Sequence, residues 1–255
     1  VIEQSPKSVA EKCDIIFVTV WNKTALEAVV LGPEGLVAGA HKGKVFIDMS
    51  TQLPETAEWE ASLFHDKGSD FLDAPVHGSK DEASNGGLWM MVGGDRSVYE
   101  RVLPILKVIT ATQHYMGGWG KGFATKLCGN LLVSTIVAAL SEALVLAQKA
   151  GLDPEEALKL WQESDFRSPV VGGVGQSICT RNFDVSFHLR TMVKDTDLIH
   201  TYAEQINVPL MLANSVHELN KIGLNKGFGD ENASAVVKVY EDMAGIVVKG
   251  SATKK

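Results

Sequence analysis

The stretch Gly117-Gly-Trp-Gly-Lys-Gly122 runs directly into Phe123-Ala-Thr-Lys126-Leu-Cys-Gly-Asn130, and a long apolar run follows. After Lys126 the next charge is Glu142, so the fifteen residues 127–141 carry none. A glycine-rich turn feeding such a run predicts a helix that is apolar on all sides. A helix of that kind is expected to be buried all round, in the middle of a helical domain or at a subunit interface. The uncharged run is shorter than the about 18–20 apolar residues that cross a bilayer, so no membrane span is expected. Lys126 stands at the mouth of this helix. Asn130, four residues on, shares its face.

Two readings of Lys126 stand side by side. An ammonium taken out of water is costly unless paired, and lysine shifts its pKa readily on burial, which suits a reactive group. A first-turn lysine can also simply snorkel to solvent. The glycines favour the first reading. They allow close backbone approach to a ligand, and they precede a helix N-terminus, which attracts anions.

Outward from this stretch the chain changes character. Upstream, the continuous apolar run at 14–20 predicts a strand buried on both faces of a parallel sheet, and further strands are read at 44–48, 70–76, 88–92 and 112–116. Helices are predicted between them at 6–12, 24–31, 54–67 and 97–107, with Ser5-Pro6 as the first start signal. Alternation of this kind predicts an α/β layer, whose ligands bind at the carboxyl ends of the strands. Val20-Trp21-Asn22, Ser50-Thr51 and His77-Gly78-Ser79 fall at such ends as candidate ligand loops, against an alternative of ordinary turn chemistry. Downstream the pattern is helical. Asp153-Pro154-Glu155-Glu156 is a strong helix start. Residues 168–177 read as a glycine-rich loop entering a short helix, and helices are predicted over 186–205, 209–223 and 232–243. The expected organisation is residues 1–118 as a Rossmann-like domain and 119–255 as an all-helical domain built on the long central helix.

Composition narrows the function classes. The 255 residues are 45% hydrophobic and 22% charged, which is ordinary for a globular chain. Net charge is −7 with no basic stripe, so neither nucleic acid nor an anionic membrane is an expected partner. Cys13, Cys128 and Cys179 have neither metal nor disulfide spacing, so no metal is expected and a reducing compartment fits, cytoplasm or organelle matrix. No G-x-x-x-x-G-K-[ST] or G-x-S-x-G occurs. Gly120-Lys-Gly122-Phe-Ala-Thr125 has threonine where the third glycine of a dinucleotide fingerprint belongs and no acid at the end of a following strand. His77 reads either as an acid or base or as an exposed turn histidine. Lys194-Asp195 reads either as a ligand contact or as a solvated pair, since neighbouring positions on a helix do not face each other.

Four motifs, in order, carry a family resemblance. They are Phe46-Ile-Asp-Met-Ser-Thr51, Leu72-Asp-Ala-Pro-Val-His-Gly-Ser79, the stretch 117–130, and Phe187-His-Leu-Arg-Thr-Met-Val-Lys-Asp195. Together they resemble the β-hydroxyacid dehydrogenase family, which includes 3-hydroxyisobutyrate dehydrogenases, tartronate semialdehyde reductases and glyoxylate/succinic semialdehyde reductases. The resemblance implies NAD or NADP as cofactor and a small carboxylate-bearing substrate, a hydroxy acid interconverted with its aldehyde acid. It implies Lys126 as general acid and base and Asn130 as its catalytic companion. His77, Gly78, Ser79, Phe187 and Asp195 match substrate-binding positions. Val20, Trp21, Thr51 and Lys194 match cofactor-binding positions. A homodimer or homotetramer is expected from the apolar helix.

Three departures stand out. The family's G-x-G-x-x-G turn is absent, as though the chain began inside the fold and lacked the opening βαβ unit of about 30 residues. The family's usual serine is His77. The first asparagine of its Asn-Asn pair is Gly129, the second being Asn130. Two other outcomes are compatible with the sequence, a non-catalytic dimerising relative and an imine reductase of similar fold. Lys126 argues against both.

Overall fold

The structure, a computed structural model, describes residues 2–251, which divide into two compact units on either side of the Gly129–Asn130 bond. In the first unit Pro6–Lys12 (α1), Ile15–Val18 (β1), Lys23–Leu31 (α2), Leu36–Gly39 (α3), Val45–Asp48 (β2) and Pro54–His65 (α4) come first. Asp70–Asp73 (β3), Val76–His77 (β4), Lys80–Ser84 (α5), Trp89–Gly94 (β5), Arg96–Ile109 (α6) and Thr112–Gly117 (β6) complete it. Strands β1, β2 and β3 run parallel, β5 is antiparallel to both β3 and β4, and β6 runs parallel to β5. The architecture is the expected Rossmann-type α/β layer, although the sheet is mixed rather than wholly parallel.

Alternation along β2 explains how the sheet is covered on both sides. Phe46 stacks on Phe64 of α4 with ring centroids 3.9 Å apart, and Phe64 stacks on Phe71. Val45 and Ile47 point the other way, into the layer that Val98, Val102 and Leu106 of α6 complete. Two expectations fail here. Strand β1 lies at the sheet edge and leaves Phe17 37% exposed, so it is not buried on both faces. The strand expected over 70–76 is broken, because Pro75 offers no N–H to a ladder and the chain turns at Ala74-Pro75 to pair β4 with β5.

Lys121–Lys149 (α7) begins in the first unit and runs through the second, followed by Pro154–Glu163 (α8), Pro169–Thr180 (α9), Leu189–Gln205 (α10) and Met211–Asn225 (α11). Two short 3-10 turns, Phe228–Asp230 and Ala233–Val236, lead into Val237–Ala244 (α12), where one helix was expected over 232–243. The predicted loop 168–177 is instead helix α9. Ser168 caps it by accepting from the Val171 N–H, and Gly175 seats Leu158 so closely that a methyl group there would lie 2.4 Å from its Cδ1. On α7, Leu140 and Leu144 pack with Leu158, Ile178, Val237 and Tyr240. Val137 packs with Leu189, Met192 and Val236. The helix is not buried all round, since Leu132, Ala139 and Leu146 form one exposed stripe. At 29 residues it is also longer than the uncharged run, and by length and apolarity alone it would suffice to cross a membrane.

Candidate active site

The glycine-rich turn is shaped by a buried carboxylate. Asp73, at the end of β3, accepts from the Gly120 N–H through Oδ1 and from the Phe123 N–H through Oδ2, both at 2.9 Å. Gly120 takes a positive φ of 80°, and a methyl group on Gly122 would lie 2.6 Å from the Asp73 carbonyl oxygen. The anion drawn to the start of α7 is therefore the protein's own, where the sequence suggested a ligand. Burial pushes the Asp73 carboxyl up to about 7, against the opposing pull of the backbone N–H groups from Phe123 and Gly120.

Lys126 follows one turn later, partly buried, with its Nζ 3.4 Å from Nδ1 of His77. Of the two readings of Lys126 the structure therefore gives the partnered one. His77 belongs to β4 and pairs there with Trp89, so its backbone is fixed in the sheet. Burial first, and the Lys126 charge second, push the imidazole down to about 4, so it is neutral at physiological pH. Next in the chain Gly78 adopts a φ of 111°, and a methyl group on it would collide with Leu88 and Glu82. The backbone N–H and the hydroxyl of Ser79 both donate to Glu82 Oε2, at 2.7 and 2.8 Å. These donors, expected to face a ligand, are thus held by a capping box at the start of α5.

At the other strand ends, the Val20 N–H donates to Ser50 Oγ at 3.0 Å, tying the end of β1 to that of β2 beside Thr51. Trp21 leaves 46% of its surface open. Beneath these loops Asp48 and Glu60 are fully buried together. Burial, then the neighbouring Asp48 charge, push Glu60 well above the ordinary carboxylate range. It is therefore held as a neutral acid, with both carboxyl oxygens buried and lacking a hydrogen-bond partner.

In the second unit Asn130 Nδ2 donates to Asp195 Oδ2 at 2.7 Å, and Lys194 Nζ pairs with Asp195 Oδ1 at 2.8 Å. The pairing corrects the expectation that adjacent residues on α10 ignore each other. A 1%-exposed carboxylate needs a counter-charge, and the lysine stem is long enough to fold back over one residue. Phe187 precedes α10 rather than lying in it, its N–H donating to Asn232 Oδ1 at 3.1 Å. The structure thus joins Lys126 to His77, and Asn130 and Lys194 to Asp195. Asp73, Glu82 and Glu60 were not singled out from the sequence. Among the described residues no group of three or more His, Cys, Asp or Glu side chains is arranged to hold a metal ion.

Residues 1–118 match the NAD-binding domain of 6-phosphogluconate dehydrogenase, and residues 120–240 match the NAD-binding region of NADP-dependent 3-hydroxyisobutyrate dehydrogenase. The chain is 35% identical to 2-(hydroxymethyl)glutarate dehydrogenase of Eubacterium barkeri, over 97% of this chain and 82% of that protein. It is 32% identical to 2-hydroxy-3-oxopropionate reductase of Escherichia coli, over 94% of this chain and 82% of that protein. Its fold matches a crystal structure of 3-hydroxyisobutyrate dehydrogenase from Salmonella typhimurium with a TM-score of 0.85 at 24% identity, covering 92% of this chain and 82% of that one.

Proposed function

The chain belongs to the β-hydroxyacid dehydrogenase family, and from that premise we propose that it interconverts a small hydroxy acid and its aldehyde acid with NAD or NADP. The observation that carries this reading is the Lys126 ammonium, partly buried on the first turns of α7 and held against a neutral imidazole. The residues fit the nicotinamide end of such a cofactor. Trp21 offers an open ring just past β1, and Val20 and Thr51 stand at adjacent strand ends. The amides of Gly120 and Phe123 are already committed to Asp73, so the cofactor phosphates are not assigned to this turn.

When bound, the nicotinamide supplies hydride to the substrate carbonyl carbon, or accepts it in the reverse direction. In reduction, negative charge grows on the carbonyl oxygen. The Lys126 ammonium stabilises that charge and donates its proton, and in oxidation the free amine takes the proton back. Asn130 holds the substrate oxygen with the amide that Asp195 orients. By the family's pattern Gly78 and Ser79 would receive the substrate carboxylate; His77 is a substrate position of the first unit, and Phe187 and Asp195 are substrate positions of the second. Val20, Trp21 and Thr51 in the first unit and Lys194 in the second match the family's cofactor positions. Short aldehyde acids such as glyoxylate, succinic semialdehyde and tartronate semialdehyde are the substrate class.

The test is NAD(P)H oxidation with those three aldehydes. Turnover is expected with at least one, and Lys126→Ala is expected to lower kcat by about 10²- to 10⁴-fold. Full turnover by that variant would remove Lys126 from the mechanism. A second reading, a non-catalytic dimerising module, is favoured by the stripe of Leu132, Ala139 and Leu146, which a second copy would cover. Failure to bind either nicotinamide cofactor would favour that module. A homodimer or homotetramer is compatible with both readings.

A further inference from the structure

His77 and Gly129 are the two places where the chain departs from its family's motifs within this region, and in the structure they are one feature. A methyl group on Gly129 would lie 2.2 Å from His77 Nε2 and 2.4 Å from its Cε1. No side chain at 129 is compatible with the ring where it stands. The ring cannot easily withdraw, because β4 holds the His77 backbone against Trp89. Its other nitrogen, Nδ1, faces the Lys126 ammonium at 3.4 Å, the long end of hydrogen-bonding distance. An ammonium has three donors and no acceptor, so Nδ1 accepts and the ring's proton sits on Nε2, toward Gly129.

We propose that His77 is a positioning residue for Lys126, its Nδ1 lone pair fixing where the ammonium points, and that Gly129 is the gap that seats the ring. The proposal rests on Lys126 being the proton donor of the function proposed above. A lysine side chain has four rotatable bonds and loses rotamer freedom whenever it is held in one place. A neutral acceptor on a strand-anchored ring restricts that freedom before substrate arrives, so less ordering remains for the reaction itself. Burial and the lysine charge keep the ring neutral, so its lone pair is available throughout the neutral range.

Two measurements test this. The first is a double-mutant cycle on kcat. Gly129→Ala is expected to lower kcat about ten- to a hundredfold, with a smaller effect on KM, because the displaced ring no longer holds Lys126. In a His77→Ser background the same alanine should be nearly without effect, since no ring remains to displace. His77→Asn, whose amide oxygen can take the place of Nδ1, should recover most of the kcat that His77→Leu loses. Additive costs around the cycle would overturn the proposal. The second measurement needs no turnover. Ring ¹⁵N spectra of the cofactor-free protein should show His77 with its proton on Nε2, and Lys126→Met should shift the Nδ1 resonance. A His77 ring indifferent to Lys126→Met would also overturn it. Full turnover by Lys126→Met would instead sink the enzymatic reading, while an inactive Lys126→Met together with an additive cycle sinks the positioning role alone.

Discussion

The carboxylate of Asp73 and the backbone N–H of Phe123, 2.9 Å apart, join the end of a parallel strand to the first turn of the helix that carries Lys126. The same carboxylate also takes the Gly120 N–H. Asp73→Asn would set an NH2 group against one of these amides and leave a buried donor unsatisfied. A loss of about 1–3 kcal/mol is expected, read from urea unfolding, with the m-value unchanged.

Acidity should act on stability through the same group. Burial raises Asp73 to about 7 in the folded chain, from an ordinary value of 3.8. The folded form therefore holds the proton more tightly than the unfolded chain does. Its contribution to stability is complete below about pH 4 and is lost as pH rises through about 7. Unfolding free energies compared at pH 5.5 and 8 should show a decline with pH that Asp73→Asn reduces. An unaltered slope in the variant would assign the dependence to other groups.

Glu60 offers a contrast. It is buried as a neutral acid beside the Asp48 carboxylate, and its raised pKa again means stability lost as pH rises through it. Glutamine keeps the shape and cannot ionise. Glu60→Gln is expected to change stability by less than about 1 kcal/mol near pH 6 and to be the more stable protein in alkaline solution. Glu60→Leu, which removes two buried oxygens that lack a hydrogen-bond partner, should likewise lose the alkaline decline. Thermal unfolding of both variants at pH 6 and 9 checks this.

Asn130 and Asp195 are 65 residues apart in sequence and 2.7 Å apart in space. A hydrogen bond to a buried charge is worth about 1.5–3 kcal/mol, so a double-mutant cycle with alanine at both positions should give a coupling energy of that size. A coupling near zero would mean that Lys194 alone satisfies Asp195.

Much of the fold is written in local pattern. The strands read at 44–48 and 112–116 and the proline-led starts at Pro6, Pro54 and Pro154 each correspond to an element within a few residues. The break at Pro75 was visible in principle, because proline cannot donate to a ladder, but an apolar run read as one strand concealed it. Helix α9 was misread because three glycines outweighed its Ser168-Pro169 start, and only the proximity of Leu158 shows why small residues are wanted there. Lys126 and Asn130 were legible as a pair four residues apart. That Asn130 answers to Asp195, and that Gly129 and His77 are complementary, depends on chain segments meeting in three dimensions. Composition carries no trace of that.

The capping box at Ser79 has one more consequence. Because Glu82 already saturates both the amide and the hydroxyl, an incoming anion at that loop trades places with a tethered carboxylate rather than with solvent. Such an exchange is close to isoenergetic in hydrogen bonds, so those bonds discriminate little among carboxylates. Selection among acids then falls to whatever surrounds the rest of the molecule.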